Sequence, residues 1–171
     1  MKVILYTATT INGMLATKDN KTPWSEAEFK SFFENVRKAG NVIVGSKTFP
    51  LFLDTDFEDM GDPVVVILTR EKRVDTDKVK YVDSPQKALS LLSNLGFVTA
   101  LITGGGLTNG AFLKENLVDE IYLDIEPMIF QEGIPLFNPA PNEIDLKFLD
   151  QKMLNENTIQ LHYSVTNKPT I

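Results

Sequence analysis

Leu101-Ile102-Thr103-Gly104-Gly105-Gly106-Leu107-Thr108-Asn109-Gly110-Ala111-Phe112-Leu113 is the stretch on which the reading of this chain turns. An apolar run from Phe97 to Ile102 stops at three glycines, and Leu107 to Glu115 then carries a helix-compatible pattern. In a strand-glycine-helix arrangement, backbone N–H groups approach a phosphate and the helix N-terminus favours its charge. Two familiar phosphate loops are excluded. From Gly104 the sixth place is Asn109, so the dinucleotide G-x-G-x-x-G spacing fails, and no Gly-Lys-Ser/Thr follows for a P-loop. Glycine also tolerates positive φ, so a plain strand-to-helix turn is the alternative reading of the same residues.

Working outward, short apolar runs alternate with helical patterns. Lys2 to Ala8 reads as a buried first strand, Asn12-Gly13 as a turn and Lys18 to Lys21 as a polar loop. Ser25 has the character of an N-cap with Glu28 completing a capping box, Phe29, Phe32, Phe33 and Val36 follow at helical spacing, and Gly40 closes the helix. Asn41 to Val44, Pro63 to Leu68 and Lys78 to Val82 are further strands, and Ser84-Pro85 starts a helix through Leu95. After the glycines come a strand over Val118 to Ile125 and a closing hairpin, Ile144 to Leu154 with Thr158 to Val165. The pattern predicts one α/β domain over 1–171, three-layered, with a mostly parallel sheet, helices on both faces and a C-terminal antiparallel hairpin. Ligands in such sheets bind at the carboxyl ends of the strands. Thr9 to Gly13, Gly45 to Phe49, Thr69 to Arg73 and Thr103 to Gly106 fall at those ends.

Composition narrows the function classes. The 171 residues are 43% apolar and 23% charged, with a formal charge of −6. That charge argues against a nucleic-acid or anionic-membrane partner, because phosphate backbones need clustered Lys and Arg. No cysteine and one histidine argue against disulfides, thiolate chemistry and a His-built metal site, so no metal is expected. No apolar run has the length of a membrane span. Met1 to Thr10 reads as a strand and not as a signal segment, so a cytoplasmic protein is expected.

The glycine stretch, with Leu117-Val118-Asp119-Glu120-Ile121, Glu126-Pro127 and Gly133-Ile134-Pro135-Leu136-Phe137, resembles the C-terminal reductase domain of the riboflavin-biosynthesis deaminase/reductase. That domain has a dihydrofolate reductase-like fold. Thr10-Ile11-Asn12-Gly13-Met14-Leu15-Ala16 is similar to the family's serine-leucine-aspartate-glycine loop, and Val42-Ile43-Val44-Gly45-Ser46-Lys47-Thr48-Phe49 to its glycine-x-x-threonine turn. The ordered resemblance runs from about residue 2 to 166.

The resemblance implies NADPH as hydride donor, a small-molecule substrate and a homodimer. It places Gly45, Ser46, Lys47 and Thr48 at the pyrophosphate side, Thr69 and Arg70 at the 2′-phosphate, and Thr103, Gly104, Gly105, Gly106 and Leu107 along pyrophosphate and nicotinamide. Arg70 is a planar, permanently charged donor suited to a phosphate. Lys47, Lys72 and Arg73 are further candidates, each with a solvated-surface alternative. Ser46 stands where dihydrofolate reductases commonly carry arginine, which shifts phosphate binding onto backbone amides, Thr48 and Arg70.

Glu28 is the candidate acid. Trp24-Ser25-Glu26-Ala27-Glu28-Phe29-Lys30-Ser31-Phe32-Phe33 resembles the first helix of dihydrofolate reductase, where a carboxylate follows a tryptophan and faces the substrate. Trp24, Phe29 and Phe32 would then line the pocket, with Asn12 and Gly13 at its mouth and Asn109 beside the nicotinamide. The alternative keeps Glu28 as a capping-box residue only. The riboflavin branch has arginine on this helix; here stand Glu26, Glu28 and Lys30, and Arg37 either matches a later arginine or caps the helix. Asp124, within a strand, either orients substrate or, as the favoured reading, pairs with a Lys or Arg at the sheet edge. His162 reads as an ordinary packed or exposed residue, and Tyr6, Tyr122 and Tyr163 as sheet packing. Three functions follow: a reductase of a pteridine- or pyrimidine-like heterocycle, a dihydrofolate reductase proper, or a non-catalytic nucleotide-binding protein on the same fold.

Overall fold

The strand Lys2–Thr10 (β1) is buried at every position from Tyr6 onward, because both of its faces are covered. It lies near the middle of an eight-stranded sheet in a computed structural model that describes residues 1–53, 57–139 and 143–166. In chain order the remaining elements are Met14–Thr17 (β2), Glu26–Ala39 (α1), Asn41–Gly45 (β3), Pro50–Leu53 (α2), Val64–Leu68 (β4) and Val79–Val82 (β5). Then come Pro85–Asn94 (α3), Thr99–Gly104 (β6), Gly106–Lys114 (α4), Glu120–Glu126 (β7), Gly133–Pro135 (β8), Leu146–Met153 (β9) and Ile159–Val165 (β10). The main sheet has the order β5-β4-β3-β6-β1-β7-β10-β9. Its first six strands are parallel and the C-terminal hairpin pairs antiparallel. The expected α/β class and topology are those observed.

Period-two alternation sorts the side chains into two cores. Val3, Leu5, Ile43, Val66, Ala100 and Ile102 pack against Ala88 and Leu92 of α3 and Phe112 and Leu113 of α4. Tyr6, Val42, Val44, Val65, Ile67 and Leu101 pack on the other face against Val36 of α1, with Phe32 and Phe33 beside them. Each such aliphatic side chain, fully buried, contributes roughly 1.5–3 kcal/mol. The layers are therefore α1, sheet, and α3 with α4.

The helix ends obey local chemistry. Ser25 accepts from the Glu28 N–H at 3.3 Å, and Gly40, left-handed at φ 67°, closes α1. Ser84 caps α3, with Pro85 in its first turn. The capping box, however, is only half formed. The Ser25 N–H goes to Glu126 Oε1 at 3.3 Å, which leaves the Glu28 carboxyl to point into the fold.

Two departures from the sequence reading bear on the site. Met14–Thr17 and Gly133–Pro135 form a separate two-stranded antiparallel sheet that the sequence pattern did not reveal. The glycines also divide their work: Gly104 ends β6 at φ 107°, Gly105 is the N-cap of α4, and Gly106 begins the helix. The carboxyl ends of β1, β3, β4 and β6 thus share one edge of the parallel sheet.

Candidate active site

That edge opens into a cleft of about 1070 Å³. One half is built from strand ends and the start of α4. The α4 N-terminus has no side-chain cap, so the Gly106, Leu107 and Thr108 amides carry the helix's partial positive charge without an intrahelical acceptor. The Gly105 N–H is held by Thr48 Oγ1 at 2.9 Å, which ties the Gly45–Phe49 turn to the glycine segment. Gly45 and Thr108 also touch, since a Cβ on Gly45 would come within 2.7 Å of Thr108 Oγ1. Thr69 and Arg70, just beyond β4, line the same half with Ser46, Lys47, Thr103 and Leu107. The Thr103 hydroxyl is buried and has no hydrogen-bond partner among the described residues. Arg70 makes no ion pair among the described residues, whereas its neighbour Arg73 is engaged by Glu71 at 2.6 Å.

The other half is aromatic and acidic. Tyr6, Trp24, Phe29, Phe32 and Phe33 surround Glu28, which is only 4% exposed yet lines the cleft. Burial pushes the Glu28 carboxyl up to about 8, reinforced by the charges of Asp124 and Glu126 and opposed by a hydrogen bond with Tyr6. Asp124, fully buried, accepts from the Tyr6 hydroxyl at 2.5 Å and from Gln160 Nε2 at 2.8 Å. Burial raises Asp124 to about 6, with those two hydrogen bonds holding it down. Glu126 is enclosed as well, accepting from Ser25 Oγ at 2.7 Å and Thr158 Oγ1 at 3.4 Å. Such a group of buried carboxyls is costly unless hydrogen-bonded or protonated, and here both remedies are used.

The cleft brings together Glu28, Gly45, Ser46, Lys47, Thr48, Thr69, Arg70, Thr103, Gly105, Gly106, Leu107, Trp24, Phe29 and Phe32. It does not include Asn12, Gly13, Gly104, Asn109 or Asp124 among its walls. Asn12 braces the segment opposite, donating to Phe130 O at 2.7 Å, and the Phe130 ring stacks on Trp24 at 6.0 Å. Gly13 sits in the turn behind, its carbonyl accepting from Leu136 N–H. Asn109 is fully buried and donates to Leu136 O at 3.1 Å, so it fixes the 133–139 segment against α4. Asp124 is satisfied by Tyr6 and Gln160; the expected direct Lys or Arg partner is replaced by these neutral donors, and Lys152 acts only through its field. Arg37 packs its stem against Gly61, outside the cleft. His162 stacks on Tyr122 at 3.9 Å and bonds Glu120 at 2.9 Å.

Tyr6, Phe33, Thr108 and Lys114 also line the cleft, and the sequence does not single them out as site residues. Tyr6 had a signal: it opens the polar end of β1, Tyr6 to Thr10, where a fully buried strand has no other need of hydroxyls. The glycines gain a second cause. A Cβ on Gly106 would collide with the Pro135 carbonyl, and one on Gly110 would come within 2.7 Å of Pro139 O. Gly106 of the phosphate reading, and Gly110 one turn further along α4, are thus also required by the 133–139 segment.

Residues 1–159 match the family model of the RibD C-terminal domain. The chain is 26% identical over 170 residues to the uncharacterized protein YwjB of Bacillus subtilis (strain 168), covering 95% of this chain and 97% of that one. A protein from Shewanella sp. PV-4, provisionally assigned to riboflavin biosynthesis, superposes with a TM-score of 0.82 at 24% identity, over 98% of this chain and 100% of its own. The Thermotoga maritima diaminohydroxyphosphoribosylaminopyrimidine deaminase/phosphoribosylaminouracil reductase gives 0.76 at 16% identity, over 96% of this chain and 56% of its own. Fold and family match agree: the chain belongs to the RibD C-terminal domain family and has that family's reductase-like architecture.

Proposed function

We propose that this protein is an NADPH-dependent reductase that delivers hydride to a small pteridine- or pyrimidine-like heterocycle, with Glu28 as the proton donor. The observation that carries the reading is that one cleft joins an uncapped helix N-terminus and an arginine without an ion pair among the described residues to a buried carboxyl, Glu28. NADPH, when bound, supplies the hydride. The chain's own residues fit such a guest. The Gly106, Leu107 and Thr108 amides suit its pyrophosphate, Thr69 and Arg70 its 2′-phosphate, and the unpartnered Thr103 hydroxyl a polar group beside the nicotinamide.

Burial raises the proton affinity of Glu28, which suits it to hold a proton at its carboxyl for a ring nitrogen or oxygen of the substrate. Trp24, Phe29, Phe32 and Phe33 supply flat apolar walls that exclude water and stack a planar ring. Alignment at about 3–3.5 Å between the reacting carbons is the larger part of what such a site contributes.

A non-catalytic nucleotide binder has no use for a buried acid that destabilises its fold, which favours the enzyme reading. Trp24 and Glu28 at the entry of α1 keep the dihydrofolate reductase reading open as the second choice. The test follows NADPH oxidation with dihydrofolate and with aminopyrimidinones, for the wild type and Glu28→Gln. Turnover falling by about 10²–10⁴ in the variant is expected. Undiminished turnover would remove Glu28 as the donor, and no oxidation with any heterocycle would remove the reductase reading.

A further inference from the structure

Behind Glu28 the hydrogen bonds converge on Asp124. Tyr6 lines the cleft and donates to Asp124 Oδ2; Gln160 donates to Asp124 Oδ1 and also reaches Ser31 Oγ at 3.2 Å. Ser31 and Gln160, with Glu34, Lys38, Tyr122 and Lys152, line a second cavity of about 340 Å³ under the C-terminal half of α1. Asp124 is thus bonded to one residue of each cavity and exposed to neither.

We propose that Asp124 and Tyr6 are positioning residues for Glu28: the buried Asp124 carboxylate claims the Tyr6 hydroxyl proton, and its charge keeps the neighbouring proton on Glu28, which faces the cleft. This rests on the reading of Glu28 as proton donor. The asymmetry between the two carboxyls decides which one is ionised. Asp124 has two hydrogen-bond donors, Tyr6 and Gln160, and the Lys152 ammonium on β9 attracts its charge. Glu28 is left without the Tyr6 donor, since the single Tyr6 hydroxyl proton goes to Asp124; burial raises its proton affinity, and the charges of Asp124 and Glu126 on β7 add to it. Two interacting carboxyls with such different surroundings are pushed apart in proton affinity, one becoming the acid and the other the fixed charge. Once Glu28 has given its proton to substrate, two carboxylates face each other across Tyr6, and Glu28 is the one that regains a proton from solvent.

The test needs no turnover. Carboxyl-¹³C Glu and Asp are incorporated into the full chain, and the Glu28 and Asp124 resonances are titrated in the wild type, Asp124→Asn and Tyr6→Phe. In Asp124→Asn the Glu28 midpoint is expected to fall by about one pH unit or more, as loss of an adjacent like charge requires. In Tyr6→Phe the Asp124 midpoint is expected to rise, since its short hydrogen bond is gone; packing alone would move neither. A Glu28 midpoint unchanged in Asp124→Asn, or an Asp124 midpoint unchanged in Tyr6→Phe, overturns the proposal. Should Asp124→Asn fail to fold, Tyr6→Phe decides alone, because it keeps the ring that packs on Phe32. NADPH binding by the wild type is measured on the same samples. Its absence would defeat the reductase reading and leave the titration result standing.

Discussion

Replacing Glu28 by glutamine is expected to make the protein more resistant to alkaline conditions, and the size of the effect follows from the site. In the unfolded chain the carboxyl titrates near 4.5, and in the fold near 8. A group raised in the fold stabilises it only while protonated. Below pH 4.5 both states hold the proton and nothing is lost. Between 4.5 and 8 the unfolded chain ionises while the folded one does not, so stability falls with pH, and above 8 the loss is complete. The interval corresponds to about 5 kcal/mol at most. The substituted amide cannot ionise, keeps the side-chain shape, and still offers Tyr6 a partner, so this component disappears. Urea unfolding of both proteins at pH 5 and pH 9 measures it, and every titration they share cancels in the difference. With a slope near 2 kcal/mol per molar urea, the variant's midpoint should gain about 2 M on the wild type between the two pH values. Parallel curves would refute the buried, protonated Glu28.

Three other outcomes follow from the fold. Gly106→Ala forces a methyl into the Pro135 carbonyl and should cost about 1–3 kcal/mol, read as a Tm lower by several degrees. Ser25→Ala removes both the α1 N-cap and the strongest donor to buried Glu126, and about 1–3 kcal/mol of urea stability should go with them. The homodimer implied by the family resemblance is supported by β9, an edge strand exposed along its whole length with Leu146, Phe148, Leu149 and Met153 on it. Sedimentation at twice the chain mass is the expected result, and a monomer across the concentration range would discard it.

The parallel sheet was legible because its strands are short, apolar and separated by capped helices; Ser25, Gly40 and Ser84-Pro85 each punctuate where their side-chain chemistry requires. The β2–β8 sheet was not, since strands of four and three residues joined across more than a hundred positions carry no local period. In the site, glycines and Arg70 were readable as residue types, and the cleft unites Gly45, Gly105, Gly106 and Arg70 but not Gly13 or Gly104. Asn109 lies outside the cleft walls because its position in the motif does not fix which way the side chain turns; it is buried and donates to Leu136 O of the 133–139 segment. Tyr6 and Asp124 were read separately, as packing and as an ion-pair partner. Their hydrogen bond exists only because β1 and β7 lie side by side, with Ala8 in register with Asp124.

If the cleft holds NADPH by the α4 N-terminus and Arg70, nucleotide titration followed by Trp24 fluorescence will read it, because Trp24 lines that cleft. The expected result is saturable quenching by NADPH, weaker binding of NADH, and an affinity for NADPH lower by about tenfold in Arg70→Gln with NADH unaffected, as loss of a charged hydrogen bond requires. Equal binding of the two nucleotides, or none by either at millimolar concentration, would contradict the account.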